Sequence, residues 1–568
     1  MLKRLIALLL AAILLLALAA CGGNGETAQT DTALADDGEV YNGEMPIVKP
    51  GDEPITLTIG LQTNGNVTDY KNNDYTKWLE EQTGLNLEFI QFSGTNKDIA
   101  TQVALMIAGG ETLPDILKPG SGVTKIMGDE YGLDGYFIDL KPYFEKYAYH
   151  HKAAFERLFP DDPKVREFMM LCAEEPSTGK IFGYPKLEYS NTDRPICHMW
   201  INQTWLDKLG LERPTTLAEL HDVLVAFRDK DPNGNGKKDE IPMIGKANSG
   251  WDDPLRPIVN AFIYWNSSYD FSVDESGKIG TPYDQDEYRQ ALIYASDLVK
   301  EGLLSPLTWT QSSSELKNMF NPDSRDEELC GVLCGHLTVK LNPNSPSIYD
   351  YETVAPFKAE TPKGGYAPIR SYAYSFNAFI TADCKHPVEA FKFLDFLSTE
   401  ESFLRGRYGV PGRDWVEVPD AEPADERGGM AFQVLGDGVL SSQNNITWHA
   451  NWGVADYTYF HILNEDEWAL ERSRRSTENY KNYYAIGQPE KTFVYGIYSR
   501  EEQETRTEIE KDLQDYIKDR RAQFCTGLMD PRSDAAWQEY LDGLQTLRYD
   551  EWVALAQTAY DRLPEKFK

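Results

Sequence analysis

Strand-like segments alternate with helical segments between residues 55 and 117, and this order limits the fold class more than any other feature of the chain. Residues 55–61 and 85–92 have the apolar patterns of strands. Residues 73–83 and 98–108 carry apolar side chains at helical spacing, and residues 113–117 lead into a third strand. Because strands joined by helices usually pair in parallel, the segment predicts a parallel α/β sheet.

The length of 568 residues exceeds what a single hydrophobic core usually holds, so we expect two large lobes. Residues 180–188 form an apolar strand that could cross between the lobes, and a new strand follows at 196–201. Residues 367–380 are strand-like. The other predicted elements are helices at 203–209, 217–228, 286–301, 313–320, 387–397, 400–408, 501–525, 534–549 and 551–561.

A run of oxygen-bearing side chains follows the helix predicted at 217–228. It reads Asp-Pro-Asn-Gly-Asn-Gly-Lys-Lys-Asp-Glu over residues 231–240. Ca²⁺ binds six to eight oxygens from carboxylates, amides and carbonyls, and glycine permits the tight turns that bring them together. The run therefore predicts a calcium site. The predicted ligands are Asp231, Asn233, Asn235, the backbone carbonyl of Lys237, Asp239 and Glu240.

Two alternatives to this ligand set stay open. A twelve-residue EF-hand count could instead start at Asp229 and end at Glu240. Clusters of Asp, Asn and Gly are also typical of polar surface turns that bind no metal. If calcium binds, the protein could supply all of its ligands, so we expect a structural ion rather than a catalytic one.

The N-terminal residues have the pattern of a secretory signal. Lys3 and Arg4 precede an apolar stretch at 5–18, and Leu-Ala-Ala-Cys follows at 18–21. This resembles the lipobox of bacterial lipoproteins, although a signal peptide with a chance cysteine is the alternative. We expect a signal peptide at 1–20, lipidation at Cys21, a flexible tether at 21–52, and anchoring at the outer face of the cell membrane, as in Gram-positive bacteria.

The charge and the cysteines exclude several other classes. A net charge of −34 argues against nucleic acid and against anionic lipid surfaces as partners. Six cysteines besides Cys21 are scattered along the chain, which is unlike a disulfide framework. Cys330 and Cys334 have no second Cys/His pair nearby, so zinc is not expected, and a bridge between them has no support beyond their spacing. No Gly-x-Ser-x-Gly or His-Glu-x-x-His motif occurs.

Several segments together carry a family resemblance that spans nearly the whole mature chain. They are the residues at 18–21, 109–115, 205–211, 214–216, 231–242, 384–390 and 408–412. With them the chain resembles the extracellular solute-binding proteins of carbohydrate ABC importers (family 1). Within that family it is similar to the long calcium-containing branch, which includes the alginate-oligosaccharide-binding proteins and the LplA-like lipoproteins of Gram-positive bacteria.

The resemblance implies an α/β fold of two periplasmic-binding-protein-like lobes, joined by hinge strands and separated by a cleft that closes on ligand. By analogy, one lobe holds residues 53–186 plus 365–410, and the other holds 187–364 plus 411–568 with its C-terminal helices. It also implies that the loop at 231–240 holds a structural Ca²⁺. The implied role is capture of an oligosaccharide and its delivery to permease subunits in the membrane, by a monomer that is not an enzyme.

The candidate ligand contacts follow from how sugars are bound, with aromatic rings against C–H faces and polar groups on hydroxyls. Gln62 and Asn64 lie just after the first strand, where α/β sheets bind ligands. Arg194 and Arg370 could bind a carboxylate of an acidic sugar. The aromatic candidates are Trp251, Trp265, Trp309, Tyr372, Tyr374, Trp448 and Trp452. Among these, Trp251, Trp448 and Trp452 are favoured, because they lie in turn-like rather than periodic apolar sequence.

Two other functions compete with solute binding for transport. A lipid-anchored glycoside hydrolase would need two carboxylates facing each other across a cleft, and among 90 Asp and Glu residues such pairs always occur. A peptide-binding or sensory lipoprotein of the same fold is the other alternative. The sequence does not specify the sugar, its length or its charge.

Overall fold

The computed structural model describes residues 41–568, apart from 190–197, 267–269, 336–344, 346, 348, 370–372, 377, 420–429, 436–442, 451, 457–460, 463–474, 476–477, 480 and 494. The signal peptide, Cys21, Arg194, Arg370 and Tyr372 therefore lie outside the described residues. None of the helices in the described ranges is both long enough and apolar enough to span a membrane.

The strands and helices of the described residues alternate along the chain. The strands are β1 (Thr56–Gln62), β2 (Asn86–Phe92), β3 (Ile116–Lys118), β4 (Lys186–Tyr189), β5 (Met199–Asn202), β6 (Ile241–Ile244), β7 (Ser272–Val273), β8 (Ile279–Gly280), β9 (Cys330–Cys334), β10 (Tyr351–Val354), β11 (Ala373–Ser375), β12 (Phe379–Ile380), β13 (Trp415–Glu417), β14 (Ala431–Val434), β15 (Ala455–Asp456) and β16 (His461–Ile462). The helices are α1 (Asp74–Thr83), α2 (Asn96–Gly109), α3 (Lys125–Leu133), α4 (Lys141–Tyr147), α5 (Tyr149–Leu158), α6 (Lys164–Ala173), α7 (Gln203–Leu209), α8 (Leu217–Asp229), α9 (Leu255–Phe262), α10 (Asp286–Lys300), α11 (Ser313–Met319), α12 (Pro387–Phe396), α13 (Glu400–Tyr408), α14 (Arg500–Thr526), α15 (Asp534–Thr546) and α16 (Tyr549–Asp561).

The first lobe is built on the sheet β12-β3-β1-β2. Strand β1 pairs in parallel with both β2 and β3, and β12 adds an antiparallel edge, so the predicted parallel sheet is confirmed. Helix α1 begins where the Asn73 side chain accepts a hydrogen bond from the Tyr75 N–H, and α2 begins with a capping box of Thr95 and Asp98. The carboxyl ends of β1, β2 and β3 thus meet at one edge of the sheet.

The core of the first lobe also includes chain that follows residue 410. Leu57 and Ile59 of β1 pack with Phe391 of α12, and the same apolar cluster contains Trp448 and Trp452. The boundary drawn at 410 by analogy assigned both tryptophans to the second lobe. Their packing differs from that assignment, because the loop that carries them is hydrogen-bonded along the edge of the first lobe.

The second lobe is built on the sheet β10-β5-β9-β6. Strands β5 and β9 pair antiparallel, while β9 and β6 are parallel. Its large core combines residues of α8, α9 and α10 with residues of the C-terminal helices α14, α15 and α16. The C-terminal helices therefore share one hydrophobic core with α8, α9 and α10.

Short strands join the segments that run between the lobes. Strand β4 pairs antiparallel with β11 and in parallel with β15. Strand β4 ends the first long stretch of first-lobe chain, and β11 lies where the chain returns from the second lobe. Residues 180–188 were expected to be one strand, but β4 starts only at Lys186, and Ile181 and Gly183 form isolated bridges instead.

Cys330 and Cys334 lie at the two ends of β9. Four residues of extended strand place their Cα atoms about 13 Å apart, whereas a disulfide needs a separation of less than about 7 Å. The bridge that their spacing left open is therefore ruled out by the strand. Cys172, Cys330, Cys384 and Cys525 are free thiols.

Candidate functional site

A cavity of about 530 Å³ opens at the carboxyl ends of β1 and β3, beside the connecting strand β4. This volume is within the range of about 300–1,000 Å³ that small-molecule sites occupy. The position matches the rule that open α/β sheets bind ligands outside the carboxyl ends of their strands. The cavity brings together Gln62, Asn64, Trp448 and Trp452, four of the residues that the sequence analysis selected.

The two amide side chains of the cavity sit on a fixed turn. Thr63 donates its N–H to the Phe92 carbonyl at 2.9 Å, which ties the end of β1 to the end of β2. The Asn64 N–H donates to the Tyr70 hydroxyl at 3.1 Å. Gly120 lies opposite Gln62 with φ of 61°, and a Cβ at this position would overlap the Gln62 Oε1 atom. Glycine is therefore favoured where the turn after β3 approaches β1, because a side chain there would need both a left-handed backbone and a shift of Gln62.

The tryptophans are held by a loop that lines the first lobe. Asp74 and Tyr75 donate their N–H groups to the carbonyls of Asn445 and Ile446, at 2.8 and 3.2 Å. Trp448 donates its ring N–H to the Thr76 hydroxyl at 2.9 Å and is 1% exposed. Because these bonds fix both the backbone and the ring, Trp448 forms a rigid floor to the cavity.

Trp452 completes the aromatic side of the cavity. Its ring centroid lies 5.1 Å from that of Trp448, at an interplanar angle of 52°. Trp452 is 8% exposed and lines the cavity, while the rest of its surface packs in the first-lobe core. Between the two tryptophans, His449 adopts φ of 50°, and its pKa is lowered by burial and by the nearby Arg407.

A charged wall completes the described lining of this cavity, and the sequence analysis did not find it. It consists of Lys118 at the end of β3, Lys186 and Glu188 on β4, and Arg407 on α13. Lys186 and Glu188 are two residues apart on one strand, so both point to the same side, and they form an ion pair of 2.7 Å. Burial and the nearby Lys186 lower the pKa of Lys118 to about 7. The position of Lys118 directly after an apolar strand, like that of Gln62, was the available signal.

The other candidate residues in the described ranges lie elsewhere. Trp265 is buried in the second-lobe core, where Arg256 and Arg521 stack on its ring at 4.6 and 4.9 Å. Trp309 packs against the same core. Trp251 is half-buried in the loop before α9, with its ring 6.3 Å from that of His198. Tyr374 lies on β11 and packs near Phe168. None of these four lines the cavity in the described part of the chain.

A larger cavity of about 690 Å³ lies between α3 and the start of α14. Its wall includes Met127, Tyr495 and Tyr498, but none of the candidate site residues is among its described lining. We favour the smaller cavity as the functional site, since only there do aromatic rings and several polar side chains converge at strand ends.

The loop at 231–240 connects α8 to β6 in the second lobe. Asp231 has φ of 49°, and Gly234 and Gly236 have φ of 82° and 76°, as a tightly coiled loop requires. The side-chain oxygens of Asp231 accept hydrogen bonds from the N–H groups of Gly234 and Gly236 at 3.1 and 3.0 Å. The Asn233 and Asn235 side-chain oxygens accept hydrogen bonds from the N–H groups two residues later. The loop is therefore held by hydrogen bonds from its own backbone to its own side-chain oxygens.

The burial and charge surroundings of the Glu240 carboxylate indicate whether these residues can bind a cation. Both of its carboxylate oxygens are buried, and no described side chain donates a hydrogen bond to them. Burial, and then the nearby Asp231 and Asp239, raise the pKa of Glu240. A buried carboxylate beside two others is costly unless a cation compensates it, so the donor set fits Ca²⁺. Within the described residues, no three His, Cys, Asp or Glu side chains converge as a metal site. In this loop, however, three of the six predicted ligands are amide or backbone oxygens.

The sequence pattern of the family described as bacterial extracellular solute-binding protein matches residues 64–402. The fructooligosaccharide ABC transporter substrate-binding protein FusA of Streptococcus pneumoniae serotype 4 is 22% identical over 493 residues, which cover 85% of this chain and 86% of FusA.

Two solved structures share the fold over most of their length. An ABC-transporter-associated solute-binding protein of Bifidobacterium longum infantis, described as HMO binding, has a TM-score of 0.73 at 20% identity. The match covers 90% of this chain and 99% of that protein. An EF-hand mutant of S. pneumoniae FusA in complex with fructo-nystose has a TM-score of 0.66 at 19% identity. The match covers 89% of this chain and 99% of that one.

These likenesses confirm the predicted fold class of two α/β lobes with hinge strands and a cleft between them. The family pattern covers more than half of the chain. The chain therefore belongs to the bacterial extracellular solute-binding proteins.

Proposed function

We propose that this protein captures an oligosaccharide in the cavity at the ends of β1 and β3 and delivers it to the permease of an ABC importer. The observation that carries the proposal is the pair Trp448 and Trp452 beside Gln62 and Asn64 in one cavity. Aromatic rings cover the C–H faces of a sugar, and amides bind its hydroxyls. FusA, which is described as a fructooligosaccharide-binding protein of an ABC transporter, supports the same substrate class.

Closure of the lobes would complete the site. We take residues 53–186 and 365–410 as the first lobe, add the loop at 444–455 to it, and assign most of the remainder to the second lobe. The half-buried Trp251 is the second-lobe aromatic that we propose to reach the ligand on closure, because hinge motion brings the facing surfaces of such lobes together. Lipidation at Cys21 and a tether at 21–52 would keep the protein beside its permease, and this part of the proposal rests on sequence alone.

The described wall of the cavity argues against a glycoside hydrolase. Such an enzyme uses two carboxylates about 5–10 Å apart across the scissile bond. Among the described lining residues Glu188 is the one carboxylate, and it is paired with Lys186 at 2.7 Å. A binding site needs no second carboxylate, so the geometry favours capture without bond cleavage.

Incubating the protein with a panel of oligosaccharides is expected to raise its melting temperature for at least one sugar while leaving that sugar intact. A ligand at 100 times its Kd stabilises the protein by about 2.7 kcal/mol, which is measurable by thermal shift. Chromatography of the sugar after incubation checks for cleavage. Released products would contradict the proposal in favour of an enzyme, and stabilisation by peptides alone would favour the peptide-binding alternative.

We further propose that the loop at 231–240 binds a structural Ca²⁺ through Asp231, Asn233, Asn235, the Lys237 carbonyl, Asp239 and Glu240. Lys208 of α7 donates to the Pro232 carbonyl within the loop, and Asn233 donates to the Glu328 carbonyl. The Ile241 N–H donates to the Leu329 carbonyl. An ion would therefore fasten α8, β6 and the segment before β9 to one another. The existence of an EF-hand mutant of FusA supports the idea that this branch has such a loop.

Removing calcium with EDTA is expected to lower the melting temperature, and adding Ca²⁺ is expected to restore it. Glu240→Gln should lower the melting temperature without EDTA and remove the response to EDTA, because it deletes a carboxylate ligand. Asp323→Asn, at an exposed acid outside the loop, is the matched control and should respond like the parent. Sugar binding should remain measurable in the variant. Unchanged stability and no bound metal by elemental analysis would contradict the assignment.

A further inference from the structure

We propose that the natural ligand of this cavity is an acidic oligosaccharide whose carboxylates are bound by Lys118, Lys186 and Arg407. The inference rests on the proposed function, because it names the chemical class of the sugar that the cavity captures. It is drawn from the charges of the described wall, which differ in sign from those of the chain as a whole.

The charge balance of the cavity is the first step. The chain has 90 acidic residues against 56 Lys and Arg, which gives a net charge of −34. The described lining of the cavity has three of these cations and one carboxylate, Glu188. A local excess of positive charge within an acidic protein concentrates anions at the site and orients them on approach.

The geometry of the cations is the second step. The side chain of Lys186 is 16% exposed and lies 2.7 Å from Glu188, and its ammonium group has three N–H donors, so donors remain for a ligand. Arg407 has its Nε atom buried without a hydrogen-bond partner. A guanidinium presents donors in a planar fork that matches a carboxylate, and a ligand carboxylate would provide the acceptor that this atom lacks.

Closure of the lobes is the third step. When the second lobe covers the cavity, Arg407 loses contact with water. Desolvating cations without a counter-charge costs several kcal/mol for each ion, and a neutral sugar returns only hydrogen bonds. A carboxylate on the ligand compensates the charge, so the closed state is favoured for an acidic sugar over a neutral sugar of the same size.

A pH dependence follows from Lys118. The same cavity is lined by Lys186 and Glu188 from β4, by Arg407 from α13, and by His449 from the loop that carries Trp448 and Trp452. Burial and Lys186 hold the pKa of Lys118 at about 7 in the ligand-free protein. A bound carboxylate favours the protonated amine and raises that pKa, so binding takes up a proton. Affinity for an acidic sugar should therefore be greatest below pH 7 and fall as the pH rises above it.

Calorimetric titration with matched acidic and neutral probes tests the inference. The probes are oligogalacturonate and oligoalginate, the methyl ester of each, and neutral fructo- and malto-oligosaccharides of equal length. The parent protein should bind at least one acidic probe, bind its methyl ester at least 30-fold more weakly, and lose affinity between pH 6.5 and 8.5.

Variants locate the effect. Lys186→Gln and Arg407→Gln should each weaken binding of the acidic probe at least tenfold and change binding of its methyl ester less than twofold. Lys186→Arg, which keeps the charge, should retain affinity, and Lys511→Gln, at an exposed lysine of α14, should have no effect. Melting temperatures of the ligand-free variants show whether each remains folded.

The outcomes separate the inference from the proposed function. Binding of neutral sugars as tightly as acidic ones, with no effect of the glutamine variants, would overturn the inference and leave oligosaccharide capture intact. Failure of every acidic and neutral probe to bind would count against the proposed function as well.

Discussion

Replacing Trp452 with Ala is expected to weaken oligosaccharide binding by 100-fold or more. Trp452 lines the cavity and packs against the rigidly held Trp448, at 5.1 Å between ring centroids. A tryptophan buries about 150–250 Å² of surface, and aromatic anchors in desolvated pockets commonly contribute 2 kcal/mol or more to binding. A 100-fold loss corresponds to about 2.8 kcal/mol. Titration calorimetry with the tightest sugar of the panel measures it.

The difficulty with this variant is that Trp452 also supports the first-lobe core. Trp537→Ala is the matched control, since Trp537 is likewise 8% exposed but lies on α15 in the second-lobe core. Removing a buried tryptophan commonly costs about 3–5 kcal/mol of stability. Both variants should therefore melt at lower temperature, and only Trp452→Ala should lose binding. Equal binding by the two variants would show that Trp452 is not part of the site. Trp452→Phe should recover most of the affinity.

The sheet of the first lobe was predictable because each of its signals is local. Strand periodicity, the Asn73 cap and the helical spacing of α1 and α2 act within a few residues, and β1 and β2 formed within one residue of their predicted limits. Helices α7 and α13 match their predicted bounds. The helix expected at 534–549 instead ends at Thr546, because Arg548 adopts a left-handed conformation with φ of 63° before α16 begins.

Helices α3 to α6 were not predicted, and neither was α9. Their apolar residues, such as Phe144, Phe155 and Ile258, are buried against other segments, and the sequence does not show where those segments lie. Regions of this kind take their structure from tertiary contacts more than from an amphipathic pattern. The strand-like stretch at 367–380 contributed only β11 and β12 within its described residues.

In the candidate site too, residues with local sequence signals were predicted, and residues brought together by long-range contacts were not. Gln62, Asn64, Trp448 and Trp452 could be selected because strand ends and turn-like aromatics leave local marks in the sequence. Lys186 and Arg407 come together only through the pairing of β4 and the packing of α13, which are long-range. Trp265 lies in an irregular loop sequence, yet the structure buries it between two arginines. Local sequence does not distinguish a ring facing a cleft from a ring stacked between guanidinium groups.

One of those arginines, Arg521, forms a buried ion pair whose disruption is expected to have a large effect on stability. Arg521 of α14 and Asp253 form an ion pair of 3.4 Å in which both side chains are almost wholly removed from water, at 5% and 0% exposure. Arg521 also donates to the Asn248 side-chain oxygen. Asp253 accepts N–H bonds from Asn248 and Leu255 at 3.0 and 3.1 Å. The pair thus fixes the loop that carries Trp251 and the start of α9 to the C-terminal helix.

Asp253→Ala is expected to destabilise the second lobe by about 3–5 kcal/mol, because it leaves the charge of Arg521 buried without its counter-charge. Denaturant unfolding followed by tryptophan fluorescence measures the loss. The surface pair Arg500–Glu504, 3.1 Å apart with side chains 59% and 62% exposed, provides the control, and Glu504→Ala should change stability far less.

A second variant shows whether the lost stability comes from the unpaired charge of Arg521 or from the lost hydrogen bonds of Asp253. Asp253→Ala combined with Arg521→Met removes both charges while keeping an apolar side chain over the Trp265 ring. If the unpaired, buried guanidinium of Arg521 causes the instability, the double variant should be more stable than Asp253→Ala alone. An equal or lower stability of the double variant would assign the loss to the hydrogen bonds of the loop. Because that loop carries Trp251, sugar affinity should follow stability in this series, which would connect α14 to the second-lobe face of the site.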